Sequence, residues 1–293
     1  MFTFLLPPFD SESNPIVNTQ LGSFQLIRFS NQELHIHLDC DVRDKKCLIV
    51  GSISPPDTQF FTYMSLIHTL KKNGATECVA ILPYLSYARQ EHEEPKQSQM
   101  AALVFSLLEK SGADQIIAFD IHSKKAQSLF SIPVHEIQSA SLFASYLLEH
   151  HIPFDSCISP DMGGIERSVH LADLLHIPRR GYFKKIRSAA SVELLEFHGD
   201  VGKKILIVDD VVDTGSTLLK CVEALHTKGV LSITIAVTHP LFSENKTQEL
   251  YRYGVDKIIC LSTIPLPDSL KQDPRILCLP IFEVLNEVIW KKN

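Results

Sequence analysis

The sequence predicts an α/β fold in which mainly parallel sheets are flanked by helices. Short apolar runs rich in isoleucine and valine recur along the 293 residues, bounded by charged residues, glycine or proline. Runs of this length and composition are typical of strands buried on both faces. Helical patterns lie between the runs, and strand–helix alternation indicates parallel sheets. With 45% hydrophobic and 21% charged residues, the composition is that of a globular protein.

The predicted elements follow one another at regular intervals. The strand-like runs are residues 47–50, 78–82, 116–119, 205–208, 233–237 and 258–261. Helical patterns at 60–70, 100–108 and 218–225 each end shortly before a glycine, a common helix terminator. Asp57, ahead of the first helical pattern, is of a residue type that favours helix N-caps.

We expect two domains, because a chain of this length exceeds the usual size of one. The first α/β group closes near Ile137, which predicts an N-terminal domain of residues 1–138 and a C-terminal domain of 139–293. No linker rich in glycine and serine separates them. The last helix is a candidate to pack back on the N-terminal domain.

Charge and composition exclude several classes of function. A net charge of −6 argues against a nucleic-acid-binding surface. No apolar run approaches the roughly 18 residues of a membrane span, and the N-terminus reaches Pro7 too early, without basic residues, for a signal peptide. The seven cysteines are odd in number and scattered, as expected for buried thiols in a reducing compartment. We therefore expect a cytoplasmic protein without nucleic-acid or membrane partners.

The segment ILIVDDVVDTGST at residues 205–217 predicts a site for a sugar phosphate. In open α/β sheets, ligands bind beyond the carboxyl ends of the strands. Adjacent carboxylates there are tolerable if they accept hydrogen bonds from sugar hydroxyls or face a cation. The glycine and hydroxyl residues that follow can present backbone N–H groups to a phosphate at a helix N-terminus. The candidate ligand-binding residues are Asp209, Asp210, Asp213, Thr214, Gly215, Ser216 and Thr217. The competing interpretation is an acidic turn that merely caps a helix.

This segment resembles the phosphoribosyl-diphosphate motif shared by type I phosphoribosyltransferases and ribose-phosphate diphosphokinases. Further segments resemble diphosphokinase patterns and occur in family order. They are RFSNQE (28–33), PYLSYARQ (83–90), DIHS (120–123), SPDMGG (159–164), THPLFS (238–243) and TIPL (263–266). Six matches in order, over roughly residues 25–270, favour the diphosphokinases over simple phosphoribosyltransferases.

The resemblance implies a transferase that moves the diphosphate of ATP to the 1-hydroxyl of ribose 5-phosphate, giving 5-phosphoribosyl 1-diphosphate and AMP for nucleotide biosynthesis. It also implies two phosphoribosyltransferase-like domains, with the nucleotide on the N-terminal side and ribose 5-phosphate on the C-terminal side, and Mg²⁺ as the cation. The nucleotide-binding residues it implies are Phe29, Asn31, Glu33, Arg89 and Gln90, and the metal-contacting residues are His122 and Asp161. Because the family's segment matching 29–33 reaches a neighbouring subunit, it implies a homo-oligomer, at least a dimer.

A basic segment, RRGYFKKIR at 179–187, supplies the catalytic candidates. In the family, a K-x-R pair on a mobile loop closes over the transferring phosphates, and Lys185 and Arg187 have that spacing. An ungapped alignment counted back from residue 199 selects Lys184 instead, so both lysines remain candidates.

The sequence departs from the family pattern at two places. Residues 91–96 read EHEEPK, where the family carries a basic stretch that contacts nucleotide phosphates, and Asn31 and Gln32 replace an aspartate and a glycine. The acidic stretch leaves open a catalytically silent homologue that regulates a synthase. A phosphoribosyltransferase that consumes the product is the other alternative, and it would have a nucleobase pocket in place of Arg89, Gln90 and Asp161. A further set, His35, His37, Asp39 and Asp41, shares one face of a predicted strand, which a half-buried edge explains without a metal.

Overall fold

A computed structural model describes residues 1–10, 16–93, 95–187, 193–244 and 247–291, with the side chains of Arg187, Glu193 and Leu194 outside the description. The chain divides into two compact units. One comprises Met1–Ile137 and Phe282–Asn293, and the other comprises Gln138–Ile281. We call them the N-terminal unit and the C-terminal unit.

The N-terminal unit contains a six-stranded, fully parallel sheet and a separate antiparallel hairpin. Its elements are β1 (Phe2–Leu5), β2 (Gln20–Leu21), β3 (Phe24–Arg28), β4 (Leu34–Leu38), β5 (Lys46–Val50), α1 (Thr58–Lys72), β6 (Glu77–Leu82), α2 (Met100–Ser111), β7 (Gln115–Phe119), α3 (Lys124–Gln127) and β8 (Val134–Ile137). The strand order is β2-β1-β5-β6-β7-β8, with the hairpin formed by β3 and β4.

The C-terminal unit is built on a seven-stranded sheet. Its elements are α4 (Ala140–Glu149), β9 (Ser156–Ser159), α5 (Ile165–Leu174), β10 (Arg179–Arg187), β11 (Glu193–Gly199), β12 (Lys204–Val212), α6 (Ser216–His226), β13 (Ser232–Pro240), α7 (Thr247–Arg252), β14 (Val255–Leu261) and β15 (Ile276–Leu279). The order is β11-β10-β9-β12-β13-β14-β15, and every pairing is parallel except β10 with β11. The last helix, α8 (Phe282–Trp290), belongs to the N-terminal unit.

The central strands have the burial that their composition predicts. In β6, the five residues after Glu77 are buried, and in β12 the run 205–208 is buried completely. Tyr63 of α1 is buried against the sheet, and its hydroxyl donates to the carbonyl of Ile49 at 2.6 Å. A parallel sheet covered by helices is therefore confirmed in both units.

Other parts of the fold differ from the sequence prediction. The sequence patterns predict no strand in the apolar N-terminus and raise only the question of a signal peptide. In the structure this segment forms β1, a strand between β2 and β5. Asp57 does precede α1, but its side chain does not cap the helix and instead accepts a hydrogen bond from the Tyr87 hydroxyl. The basic segment expected on a mobile loop forms strand β10, because Lys184 and Lys185 pair with Glu196 and Leu195 of β11.

Helix α8 has direct contacts with the start of the chain. The rings of Phe9 and Phe282 meet edge to face at 5.7 Å, and the Val17 backbone N–H donates to Asn286 Oδ1 at 2.9 Å. These contacts anchor α8 beside the N-terminal segment by both apolar packing and a specific hydrogen bond.

None of the helices in the described part of the chain is both long and apolar enough to cross a membrane.

Candidate active site

The turn after β12 has the form that an anion site requires. Gly215 has φ of +78° and directly precedes α6, a left-handed conformation that strains other residues. The Thr214 hydroxyl oxygen accepts from the Ser216 backbone N–H at 3.3 Å and lies 3.0 Å from the Ser216 hydroxyl. The Ser243 hydroxyl donates to the Asp213 carboxylate and so braces the turn. With Thr217 in the first turn of α6, hydroxyls and helix N–H groups converge here.

The two adjacent aspartates lie within β12 and not in the loop after it. Asp209 pairs in register with Val237 of β13, so the strand continues past the run 205–208 to Val212. The Asp210 backbone N–H donates to Asp209 Oδ1 at 2.9 Å. The strand backbone thus fixes both carboxylates, and two further strand residues separate Asp210 from the turn that begins at Asp213.

An arginine on α5 balances part of this negative charge. Arg167 Nη1 lies 3.7 Å from Asp210 Oδ1, and the two side chains are only 14% and 9% exposed. Burial raises the pKa of Asp209 well above its usual range, the charges of Asp210 and Asp161 raise it further, and Arg167 opposes them. The motif-based analysis missed Arg167. The sequence did contain a signal for it, because Arg167 is a single basic residue in an otherwise acidic segment, about one helical turn after Gly163 and Gly164.

Asp161 lies in a tight turn between β9 and α5. Its Oδ1 accepts the backbone N–H of Gly164 at 2.9 Å, and the Ser159 hydroxyl donates to its carbonyl at 2.7 Å. A Cβ on Gly164 would lie 2.6 Å from the Ser159 hydroxyl, so glycine is needed there. Asp161 therefore has a structural role in starting α5, and a carboxylate retains further lone pairs for a ligand.

The basic strand β10 separates the two candidate lysines. Side chains alternate along a strand, so Lys184 and Lys185 point to opposite faces. Burial raises the pKa of the Cys221 thiol well above its usual range, Asp209 and Asp161 raise it further, and Lys185 lowers it. Lys185 thus acts electrostatically on the same thiol as the two carboxylates. The Arg187 side chain lies outside the described part of the chain.

The motif after β13 forms a buried polar network. His239, paired with Val211 of β12, is 4% exposed, and its Nδ1 lies 3.0 Å from the Thr263 hydroxyl. The Thr263 hydroxyl donates to the Thr238 carbonyl, and the Thr238 hydroxyl donates to Ser139. The THPLFS and TIPL segments thereby hold together the strand ends beside the phosphate turn.

In the N-terminal unit, the candidate nucleotide residues follow β6 and β7. Arg89 and Gln90 are exposed, after a turn in which Tyr87 has φ of +67° and its carbonyl accepts the Gln90 N–H at 2.8 Å. His122 is half-buried in the loop between β7 and α3. Within the described ranges, no three His, Cys, Asp or Glu side chains form a ready-made metal cluster.

The β3–β4 hairpin presents the other nucleotide candidates at its tip. The Phe29 side chain is 49% exposed and its ring lies 5.5 Å from that of His35. The Glu33 backbone N–H donates to Asn31 Oδ1 at 3.1 Å, so asparagine retains the turn-forming role of an aspartate. Gln32, where the family has glycine, adopts φ of +70°.

The alternating acidic and histidine residues of β4 and beyond are explained without a metal. His35 and His37 are exposed, while Leu34, Ile36 and Leu38 are half-buried, as the edge-strand interpretation predicts. Arg43 donates to the Asp41 carboxylate at 2.5 Å, and this hydrogen bond lowers the pKa of Asp41 to about 2.

Comparisons with known proteins agree with this geometry. The model of the N-terminal domain of ribose phosphate pyrophosphokinase matches residues 8–112, and that of the phosphoribosyl transferase domain matches 126–267. The ribose-phosphate pyrophosphokinase of Wolinella succinogenes is 32% identical over 286 residues, covering 97% of this chain and 92% of that protein. The chain belongs to the ribose-phosphate pyrophosphokinase family.

Two further relatives support the assignment. The ribose-phosphate pyrophosphokinase of Oceanobacillus iheyensis is 30% identical and is covered to 90%. The crystal structure of phosphoribosylpyrophosphate synthetase from Mycobacterium smegmatis is 28% identical, with a TM-score of 0.89 over 100% of this chain and 99% of that one. The predicted family, the two-domain α/β fold and the enzyme class, a diphosphate transferase that forms 5-phosphoribosyl 1-diphosphate, are confirmed.

Proposed function

We propose that this chain transfers the diphosphate of ATP to the 1-hydroxyl of ribose 5-phosphate, and that the C-terminal unit binds the ribose 5-phosphate. The observation that carries the proposal is the acidic pair on β12 followed by the Gly215 turn at the start of α6. Carboxylates suit ribose hydroxyls, and a helix N-terminus suits a phosphate.

In this proposal, the turn residues bind the 5-phosphate through backbone N–H groups and hydroxyls. Asp209 and Asp210 accept hydrogen bonds from the ribose hydroxyls and thereby orient the 1-hydroxyl. The positioned oxygen attacks the β-phosphorus of ATP, the bond from that phosphorus to the α,β-bridging oxygen breaks, and AMP leaves with the bridging oxygen. The hydroxyl proton passes to solvent. Catalysis of this kind depends on alignment and charge stabilisation.

The basic strand supplies the stabilising charge. Lys185 acts electrostatically on the same thiol, that of Cys221, as Asp209 and Asp161. We assign Lys185 and Arg187 to the transferring phosphates, with Lys184 as the second lysine candidate. We assign Phe29, Asn31, Glu33, Arg89 and Gln90 to the nucleotide. Phe29 and Arg89 are both exposed and are therefore accessible to a ligand.

Mg²⁺ is the cation that this donor set fits, because it prefers carboxylate, water and phosphate oxygens. Burial and the neighbouring carboxylates of Asp210 and Asp161 raise the pKa of Asp209, and a cation bound beside them would oppose that rise. Asp161 and His122 are the proposed metal-contacting residues. When bound with ATP, Mg²⁺ would neutralise charge on the phosphate oxygens.

We also propose an oligomer of at least two chains and a cytoplasmic location. The exposed Phe29 at the hairpin tip supports contact with a neighbouring subunit's nucleotide. All seven cysteines are free thiols, which fits a reducing compartment.

The decisive assay combines ATP, Mg²⁺ and ribose 5-phosphate and measures AMP. Wild type should form AMP only when all three are present. Lys185→Ala should lower kcat by a factor on the order of 10²–10³, because it removes a charge that acts in the transition state, while ribose 5-phosphate still binds. Lys184→Ala, the matched control on the opposite face, should change kcat only a few-fold.

Each contrary result has a separate meaning. Tight ribose 5-phosphate binding without AMP would indicate a silent, regulatory homologue. Release of diphosphate from 5-phosphoribosyl 1-diphosphate with a nucleobase would indicate a phosphoribosyltransferase. A large loss with Lys184→Ala alone would transfer the catalytic role to that lysine.

A further inference from the structure

One member of the acidic stretch after Gln90 faces inward. Glu91 is 2% exposed, whereas its neighbours His92 and Glu93 are exposed. Its carbonyl accepts Gln99 Nε2 at 3.1 Å, which holds the backbone in place. Glu91 therefore does not present its carboxylate to solvent, unlike the two residues that follow it.

The two carboxylate oxygens of Glu91 have different environments. Oε1 accepts from the Ser123 hydroxyl at 3.1 Å and lies 3.3 Å from His92 Nε2. Oε2 is buried and has no hydrogen-bond partner among the described residues. An unpaired carboxylate oxygen in a buried position is unfavourable, because it has lost its hydrogen bonds to water without gaining others. Such a group is expected where a ligand completes the set of partners.

Glu91 joins two segments that the proposed function assigns to the nucleotide. It directly follows Gln90, and its partner Ser123 directly follows His122. The Ser123 hydroxyl oxygen also accepts the Ala126 N–H at 3.0 Å, which fixes the start of α3. On the outer side, Lys125 Nζ lies 3.3 Å from His92 Nδ1. One buried carboxylate thus connects the loop after β6 to the loop after β7.

We propose that Glu91 is a binding residue of the nucleotide half, and that its unpaired Oε2 accepts a hydrogen bond from the bound nucleotide complex. The donor is either an N–H group of the nucleotide or a water molecule held by its cation. This inference rests on the proposed function, because it takes the segments beside Gln90 and His122 as the nucleotide site.

Direct binding of ATP to the full chain, measured by titration calorimetry, tests the inference without requiring turnover. Glu91→Gln keeps the shape and removes the charge, and we expect it to raise the Kd of ATP with Mg²⁺ at least ten-fold. The Kd of ribose 5-phosphate should stay within two-fold of wild type. Glu93→Gln, the same change at an exposed neighbour, should leave both values unchanged.

Repeating the titration with EDTA distinguishes the donors. A loss seen only with Mg²⁺ assigns the donor to cation-bound water, and a loss under both conditions assigns it to the nucleotide. If Glu91→Gln does not fold, Ser123→Ala keeps the charge of Glu91 and removes the link together with the hydrogen bond that caps α3. A raised Kd for ATP with an unchanged Kd for ribose 5-phosphate then again supports the role.

Unchanged ATP binding in a folded Glu91→Gln or Ser123→Ala variant overturns the inference. So does an equal weakening of ATP and ribose 5-phosphate, which would mark a general structural defect. Because binding is the readout, the result stands even if wild type forms no AMP, the outcome that would refute the proposed function alone.

Discussion

At the scale of single residues, Arg167 shows how the acidic pair on β12 is tolerated. Two carboxylates on consecutive residues repel each other, and burial strengthens the repulsion. Arg167 lies 3.7 Å from Asp210 and opposes the rise in the pKa of Asp209. A guanidinium placed there offsets part of the negative charge of the pair. The same pair is a stability risk, because removing one partner leaves a buried charge uncompensated.

We predict that Arg167→Met lowers the free energy of unfolding by on the order of 3 kcal/mol, since it removes a buried cation that offsets the charge of the acidic pair. It should also raise KM for ribose 5-phosphate more than it lowers kcat. Arg167→Lys, which keeps the charge without the planar fork, should fall between Met and wild type. Urea unfolding and initial rates measure both effects. A fully stable Arg167→Met protein with normal KM would contradict the pairing.

At the scale of elements, the hairpin tip between β3 and β4 carries a local conflict. Gln32 adopts φ of +70°, and left-handed backbone costs a non-glycine residue roughly 1–2 kcal/mol. The turn is nevertheless closed by hydrogen bonds, because the Gln32 N–H donates to the Phe29 carbonyl at 2.8 Å and Arg28 donates to the Gln32 carbonyl at 2.9 Å. The hairpin thus retains at Gln32 the left-handed backbone conformation that glycine adopts most easily.

We predict that Gln32→Gly stabilises the protein by about 0.5 kcal/mol. The relieved strain exceeds the greater chain entropy that glycine adds to the unfolded state, which is worth roughly 0.5–1 kcal/mol. Gln32→Ala retains a Cβ and should have no such effect. Urea midpoints of the two variants provide the measurement, and a gain in Gln32→Ala equal to that in Gln32→Gly would mean that strain is not the cause.

The elements also show what could be predicted from the sequence. Buried parallel strands such as β6 and β12 can be predicted from their composition. The turn at Gly215 can be predicted from its residue types. Strand β10 could not be predicted, because its basic residues resemble a solvated loop and its pairing with β11 is a tertiary property. Arg167 was missed for a related reason: its partner Asp210 is 43 residues away along the chain, so no local pattern connects them.

At the scale of the whole molecule, buried thiols are distributed over both units. Burial raises the pKa of Cys47 to about 11 and that of Cys78 to about 12 in the N-terminal unit. In the C-terminal unit, burial raises the pKa of Cys157 to about 12, and it also raises that of Cys221. These thiols stay protonated and unreactive near pH 8 while they are buried. Their reaction with a labelling reagent therefore reports local opening of the unit that contains them.

We predict that thiol labelling at pH 8 distinguishes the two ligands by unit. Cys278, which is half-buried and whose pKa is lowered by a hydrogen bond from the Cys260 thiol, should label first in all conditions. Ribose 5-phosphate should slow labelling of Cys157 and Cys221, and ATP with Mg²⁺ should slow labelling of Cys47 and Cys78. A ligand at 100 times its Kd stabilises the bound form by about 2.7 kcal/mol, so labelling through opening should slow roughly 100-fold.

Mass spectrometry of peptides resolves these thiols individually and gives each rate with and without ligand. The assignment of ligands follows from the sites: the phosphate turn begins α6, which carries Cys221, while Arg89 and Gln90 follow β6, which begins with Glu77 and Cys78. If each unit opens independently, each ligand slows labelling only of the thiols in the unit that binds it. Equal slowing of all four thiols by either ligand would instead mean that the two units open as a single cooperative structure, because stabilisation of one site would then protect the whole chain.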